Sequence, residues 1–213
     1  MQLRKFLKKY LFSSTCSLCG EESNGEDICK KCRYKLNRTG FLKKRGTLYY
    51  LYSYHDVKNI IWNIKFKNRR YVSKELTEYI KKAIDEIIND KSIDIIIPVP
   101  ISDNRYLERG FNQVEDMLDL CSIPYVKIKR IKNTVHMYDL KDSIQRKENI
   151  SNAFILVNKD RFKNKNILIV DDIVTTGATI EEIKKQLIEN TDVKEIYCFA
   201  VAVAKGYFKN KEG

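Results

Sequence analysis

Three stretches of the chain are apolar at nearly every position, the pattern of strands buried on both faces of a parallel sheet. Residues 93–97 form the first, and Pro98 and Pro100 behind it cannot continue a ladder. Residues 167–170 (Ile-Leu-Ile-Val) form the second, and residues 196–204 (IYCFAVAVA) read as a final buried strand. Between the last two, Ile180, Ile183 and Leu187 recur at helical spacing. Leu3, Phe6, Leu7 and Leu11 do the same within residues 1–12, which predicts a short amphipathic helix packed on the rest of the chain. Trp62, with Ile61 and Phe66, reads as core, and Cys121 and Cys198 in their apolar contexts read as buried hydrophobes.

At 213 residues and 43% hydrophobic, the chain suits one globular domain with a small appendage and is too apolar for wholesale disorder. The formal charge of +12 is uneven: residues 1–50 carry 12 basic and 4 acidic side chains, residues 51–213 carry 28 and 24. The basic stretch at 40–46 is the expected boundary, giving a head over 1–45 and a domain over 46–213. Such a head can meet nucleic acid, although biased composition alone would also produce it. No run of about 18 apolar residues occurs, so no membrane span is expected. With no signal peptide in view, the expected location is the reducing cytoplasm.

In that compartment four clustered cysteines point to metal. Cys16 and Cys19 are separated by two residues, as are Cys29 and Cys32, with nine residues between the pairs. Each pair forms a turn whose thiolates converge, and two turns supply the tetrahedral sulfur shell of structural Zn2+. Disulfides and an iron–sulfur cluster are the competing uses. Few apolar residues surround the cysteines, so metal is expected to supply most of the folding energy of the head.

Residues 166–179 join an apolar strand to Asp171 and Asp172, then to the small-residue loop Thr175, Thr176, Gly177, Ala178 and Thr179, then to a helix. Gly177 permits a tight backbone approach, and the loop amides with the helix dipole make a phosphate cradle. The two carboxylates would repel that phosphate and suit sugar hydroxyls or magnesium one ribose away. Beyond the first strand, Arg105 and Arg109 can clamp a pyrophosphate through their guanidinium forks, the competing reading being a solvated loop. Lys65, Lys67, Arg69 and Arg70 add a further basic cluster. His55 and His136 have no catalytic partner at useful spacing and read as surface residues.

The Asp171-Asp172-x2-Thr175-Thr176-Gly177-Ala178-Thr179 string resembles the ribose-phosphate motif of type I phosphoribosyltransferases. The whole arrangement resembles the ComF family: the four-cysteine head, Tyr54-His55-Asp56-Val57, and Pro98-Val99-Pro100 followed by Arg105-x3-Arg109-Gly110-Phe111-Asn112-Gln113. Thr134, Leu140, Arg146, Asn149 and Ala153-Phe154 match the family's later hood pattern, while Met137 stands where glutamine is usual, and one extra residue lies between Leu140 and Arg146.

The resemblance implies an α/β, type I phosphoribosyltransferase fold: a mostly parallel sheet flanked by helices, with a hood near 110–149 and a small N-terminal zinc ribbon. It implies 5-phosphoribosyl-1-pyrophosphate (PRPP) as ligand, with Mg2+. Asp171 and Asp172 would be the catalytic pair, the 175–179 loop would take the 5′-phosphate, and Pro100, Ile101, Arg105 and Arg109 the pyrophosphate. A link to DNA uptake, with single-stranded DNA or a DNA-uptake helicase as partner, and homodimer formation are further implications. Either turnover or PRPP sensing by a non-catalytic adaptor accords with such a pocket.

Overall fold

The computed structural model describes residues 15–23, 26–66, 74–132 and 150–209. The expected helix over residues 1–12, the basic residues Lys67, Arg69 and Arg70, and the hood residues Thr134, His136, Met137, Leu140, Arg146 and Asn149 lie outside them.

The elements run α1 (Lys30–Thr39), β1 (Lys43–Arg45), β2 (Leu48–Ser53), α2 (Tyr54–Phe66), α3 (Lys74–Lys91), β3 (Ile95–Pro98), α4 (Asp103–Arg109) and α5 (Gln113–Leu120). They continue with β4 (Lys129–Arg130), β5 (Phe154–Ile155), a 3-10 turn (Lys159–Phe162), β6 (Asn166–Val174), α6 (Ala178–Asn190), β7 (Glu195–Val203) and α7 (Lys205–Lys209). Five strands form the main sheet in the order β1-β2-β7-β6-β3, and β4 and β5 pair separately. All neighbours in the main sheet are parallel except β1 with β2.

Alternation along each strand divides the core into two apolar layers, one on each face of the sheet. Ile96, Leu168, Val170, Phe199 and Val201 face one layer, with Ile80, Ile84 and Ile87 of α3 and Val114, Met117 and Leu118 of α5. Ile97, Ile167, Ile169, Cys198 and Ala200 face the other, with Ile180, Ile183 and Leu187 of α6. A sheet covered on both faces explains why its central strands are apolar throughout instead of alternating. Cys121 and Cys198 are buried within these layers, and His55 is exposed, as expected.

Three details differ from the sequence reading. Trp62 is 50% exposed, because Val57, Ile60 and Ile61 set the buried stripe of α2 and Trp62 lies a further 100° round the helix. The first strand starts at Ile95 and includes Pro98, which pairs in register with Val170. β3 is an edge strand, where a missing N–H is tolerated. The strand through residues 167–170 does not stop before the acidic pair but runs to Val174.

The head is joined to the domain by packing as well as chain. Ile28 and Leu36 belong to the same apolar layer as Leu51, Tyr52, Val57 and Ile60, so apolar burial adds to whatever metal contributes. Asn59 and Asn63, one turn apart on α2, donate to the carbonyls of Leu18 (2.7 Å) and Ser17 (3.0 Å). Within the stretch expected as a boundary, Lys43 donates to the carbonyls of Thr39, Phe41 and Leu51, and β1 extends the main sheet.

Phe199 is fully buried, whereas Ile188 of α6 is 65% exposed. Phe199→Ala is therefore expected to cost about 3–5 kcal/mol, and Ile188→Ala less than about 0.5 kcal/mol. Urea unfolding of the two variants checks the assignment of layers.

Candidate functional site

Beyond Val170 the neighbours of β6 part company. β3 leaves the ladder at Pro98↔Val170, with a last bond from Val99 N–H to the Val170 carbonyl (2.9 Å). β7 continues alongside, pairing Asp171 with Ala200, Ile173 with Ala202 and Val174 with Val203, and this pairing carries the strand through the acidic residues. Past Val170, β6 is flanked by β7 alone among the described strands, at the carboxyl end of the sheet, the place where open α/β sheets take ligands.

After Val174 the chain turns through Thr175, Thr176 and Gly177 into α6. Gly177 is in the left-handed region (φ +84°), and a Cβ there would come within 2.9 Å of the Tyr207 ring, so both conformation and space require glycine. It stands at the N-cap position with no side chain to offer; the Ala178 N–H makes a long bond to Thr176 Oγ1 (3.5 Å), and the start of α6 can still present amides to a ligand. The loop and Asp171 together line a small cleft open to solvent, with Ala178 and Thr179 on its wall. Asp171, Thr175, Thr176, Gly177, Ala178 and Thr179 are thus brought together.

Asp172 is placed differently. It is 6% exposed. Its carboxylate accepts from Gln113 Nε2 (3.1 Å) and from the Ile173 amide (2.7 Å), on the side of the sheet that α5 covers. Its own N–H donates to Asp171 Oδ1 (2.8 Å).

Pro100 and Ile101 lead from β3 into α4, which carries Arg105 and ends at Arg109. Gly110 closes that helix in the left-handed conformation (φ +75°). Asn112 then caps α5 by accepting from Val114 N–H and donates to the Val99 carbonyl (3.1 Å), which pins the proline-flanked loop. Arg109 donates to Gln113 Oε1 (3.1 Å).

Two residues that bear on this site escaped the sequence reading. Gln113 was noted only as part of a family string. Arg130 of β4 sits among lysines in a segment with no motif; only its partners in space mark it. Its guanidinium donates to the Pro100 carbonyl (3.4 Å) and lies over the Phe154 ring. Burial pulls its pKa down to about 10, and the like charge of Arg105 adds to this while Asp171 opposes it. The two arginines and Asp171 are therefore within electrostatic reach of one another, an arrangement that an anion between the arginines would relieve.

Near the N-terminus the four cysteine Sγ atoms lie within 4.8 Å of one another. Cys19 and Cys29 are 3.9 Å apart, against about 3.8 Å for a tetrahedron with ordinary Zn–S bonds. The N–H groups of Leu18 (3.4 Å) and Cys29 (3.3 Å) point at Cys16 Sγ, as suits a thiolate. Burial pushes the Cys16 thiol up, but backbone donations from Cys19, Cys29 and Leu18 outweigh it and bring its pKa down to about 7. Burial and the neighbouring thiols push Cys32 well up. The donor set fits zinc, and four protein ligands leave no open position for catalysis.

A family model described as a phosphoribosyl transferase domain matches residues 127–212. Competence protein F of Haemophilus influenzae is 31% identical over 156 residues, 68% of this chain and 67% of that one. Competence protein ComFC of Bacillus subtilis is 24% identical over 205 residues, 93% of this chain and 81% of that one. Among solved structures, adenine phosphoribosyltransferase from Leishmania tarentolae superimposes with a TM-score of 0.44 at 11% identity, covering 78% of this chain and 96% of the other. The fold is that of the type I phosphoribosyltransferases, carrying an N-terminal cysteine cluster. No helix among the described residues is long and apolar enough to cross a membrane.

Elemental analysis is expected to find about one zinc per chain. Its occupancy should fall as pH is lowered, since protons compete with metal for each thiolate. Zinc retained in full at about pH 4 would contradict a four-thiolate shell.

Proposed function

The chain belongs to the ComF family, and from that premise we propose that its cleft binds PRPP and serves phosphoribosyl transfer in a cytoplasmic process linked to DNA uptake. The observation that carries this reading is the joining of the Gly177 loop, the start of α6 and Asp171 around one cleft. A glycine loop at a helix start and a carboxylate lining one cleft suit a ribose 5-phosphate better than a simple anion.

In this reading the loop amides and the hydroxyls of Thr175, Thr176 and Thr179 hold the 5′-phosphate. Asp171 accepts from a ribose hydroxyl and fixes the sugar, a positioning role. Arg105, and Arg130 held at the Pro100 carbonyl, take the pyrophosphate and stabilise the charge that builds on it as the anomeric bond breaks. Magnesium bound with PRPP would neutralise part of the same charge. The nitrogen acceptor is left open, and the same pocket serves a sensor that binds PRPP without turnover.

A second reading has an observation of its own. Trp62, half exposed on α2, lines a groove with Thr15, Asn59 and Asn63 beside the cysteine knuckle. Lys31, Lys35 and Lys58 border the adjoining groove. An aromatic face amid lysines is a platform for single-stranded nucleic acid, by stacking and phosphate neutralisation. A salt-titrated binding assay with an oligonucleotide tests it: weakening with salt and about a tenfold loss in Trp62→Ala are expected. No affinity at low salt would end this reading.

For the principal reading, PRPP with magnesium at about 100 times its dissociation constant is expected to stabilise the protein by roughly 2.7 kcal/mol. That corresponds to a midpoint rise of roughly 5–10 °C. Asp171→Asn should remove most of the shift. An unchanged midpoint for the folded, zinc-loaded wild type at saturating ligand would overturn the proposal.

A further inference from the structure

Gln113 is buried at the start of α5, and the two ends of its amide meet opposite charges. Its carbonyl oxygen accepts from Arg109 and its NH2 donates to Asp172, each at 3.1 Å. The amide orientation follows from its partners, since a guanidinium only donates and a carboxylate only accepts. Arg109 and Gln113 are four residues apart, but they lie in different helices and meet because Gly110 reverses the chain between them.

The two carboxylates of the acidic pair are consequently not equivalent. Asp171 lines the cleft. Asp172 is buried with both oxygens engaged, Oδ2 by Gln113 and Oδ1 by the Ile173 amide. The backbone N–H of Asp172 in turn donates to Asp171 Oδ1, so the chain of contacts from Arg109 ends on the carboxylate that faces a ligand. A charge buried as deeply as Asp172 needs such compensation, and a cation reached through one polarised amide supplies it.

We propose that Gln113 is a positioning residue, and that Arg109 acts through Gln113 and Asp172 to aim Asp171 at the sugar instead of holding a phosphate group itself. The proposal rests on the phosphoribosyl reading of the cleft and divides the two arginines of α4 between tasks. Arg105, with Arg130, serves the anionic leaving group; Arg109 serves the ribose side. Glutamine is required at position 113 because glutamate would set a second carboxylate against Asp172, and leucine would leave Arg109 and Asp172 facing an apolar group.

The two halves of the ligand separate these roles. Affinities for ribose 5-phosphate and for magnesium pyrophosphate are measured calorimetrically on the zinc-loaded full chain, for wild type, Arg105→Ala, Arg109→Ala, Gln113→Leu and the Arg109→Ala/Gln113→Leu double variant. Arg109→Ala is expected to weaken ribose 5-phosphate about tenfold and leave pyrophosphate unchanged, with Arg105→Ala showing the reverse. The double variant should be no worse than Arg109→Ala alone, because both changes cut one relay. Arg109→Lys, which keeps a donor cation, should recover part of the ribose 5-phosphate affinity. Since α4 contributes no buried residue, the arginine variants decide the matter even if Gln113→Leu fails to fold. Loss of pyrophosphate affinity in Arg109→Ala, or multiplicative losses in the double variant, would overturn the relay while leaving the phosphoribosyl reading intact. A wild type that binds neither fragment nor PRPP would remove both.

Discussion

β6 keeps its pairing with β7 for four residues after β3 has left it, and the candidate site is built on this overhang and the loop that follows it. Pro100, with no N–H to give, cannot extend the β3 ladder past Val99, while Ala200, Ala202 and Val203 go on satisfying β6 from the other side. Asp171 and Asp172 are thereby held in a strand, with its regular orientation, near its carboxyl end. A flexible loop could offer the same residues but would not fix which carboxylate faces which side. Here strand alternation turns Asp171 toward the cleft and Asp172 toward α5.

The surroundings of that overhang consist largely of devices that hold backbone in place. Asn112 grips the Val99 carbonyl between the two prolines, Gly110 lets α4 end and α5 begin within a few residues, and Tyr207 packs against Gly177 from behind. The string Arg109-Gly110-Phe111-Asn112-Gln113 therefore reads as a mechanical unit: two polar anchors, a turn and a buried aromatic around one corner. Helix α6 is tied in similarly, since the buried Glu182 accepts from the Asn152 amide (2.8 Å) and so joins the first turns behind the Gly177 loop to the segment leading into β5.

The cysteine cluster stands apart from this chemistry but not from the fold. Two asparagines on α2 seize carbonyls of the first cysteine turn, and Ile28 and Leu36 merge with the domain's own apolar layer. Ordering of the cysteine turns and ordering of α2 are thus mutually dependent, because each supplies hydrogen-bond partners or apolar surface that the other would otherwise leave exposed. The surface pair Lys35–Asp56 (2.8 Å) adds little, being solvent-screened.

Much of this was legible in the chain by itself. Apolar runs identify buried strands, because a sheet covered on both faces leaves few positions for an unpaired polar side chain, and paired cysteines two residues apart bring thiols together by local geometry. The glycine loop and its threonines could be placed for the same reason: one strand, one turn and one helix contain the whole cradle. What depends on residues distant in sequence could not be read. Trp62 has the composition of core, yet the buried stripe of α2 turns past it, and Arg130 is one cation among many in the sequence, yet folding sets it against the Pro100 carbonyl within electrostatic reach of Arg105 and Asp171. Gln113 and Asp172, 59 residues apart, become partners only when α5 packs on β6. Local periodicity and turn chemistry are properties of neighbouring residues; the pairing of buried charges is decided by which elements the tertiary fold brings into contact.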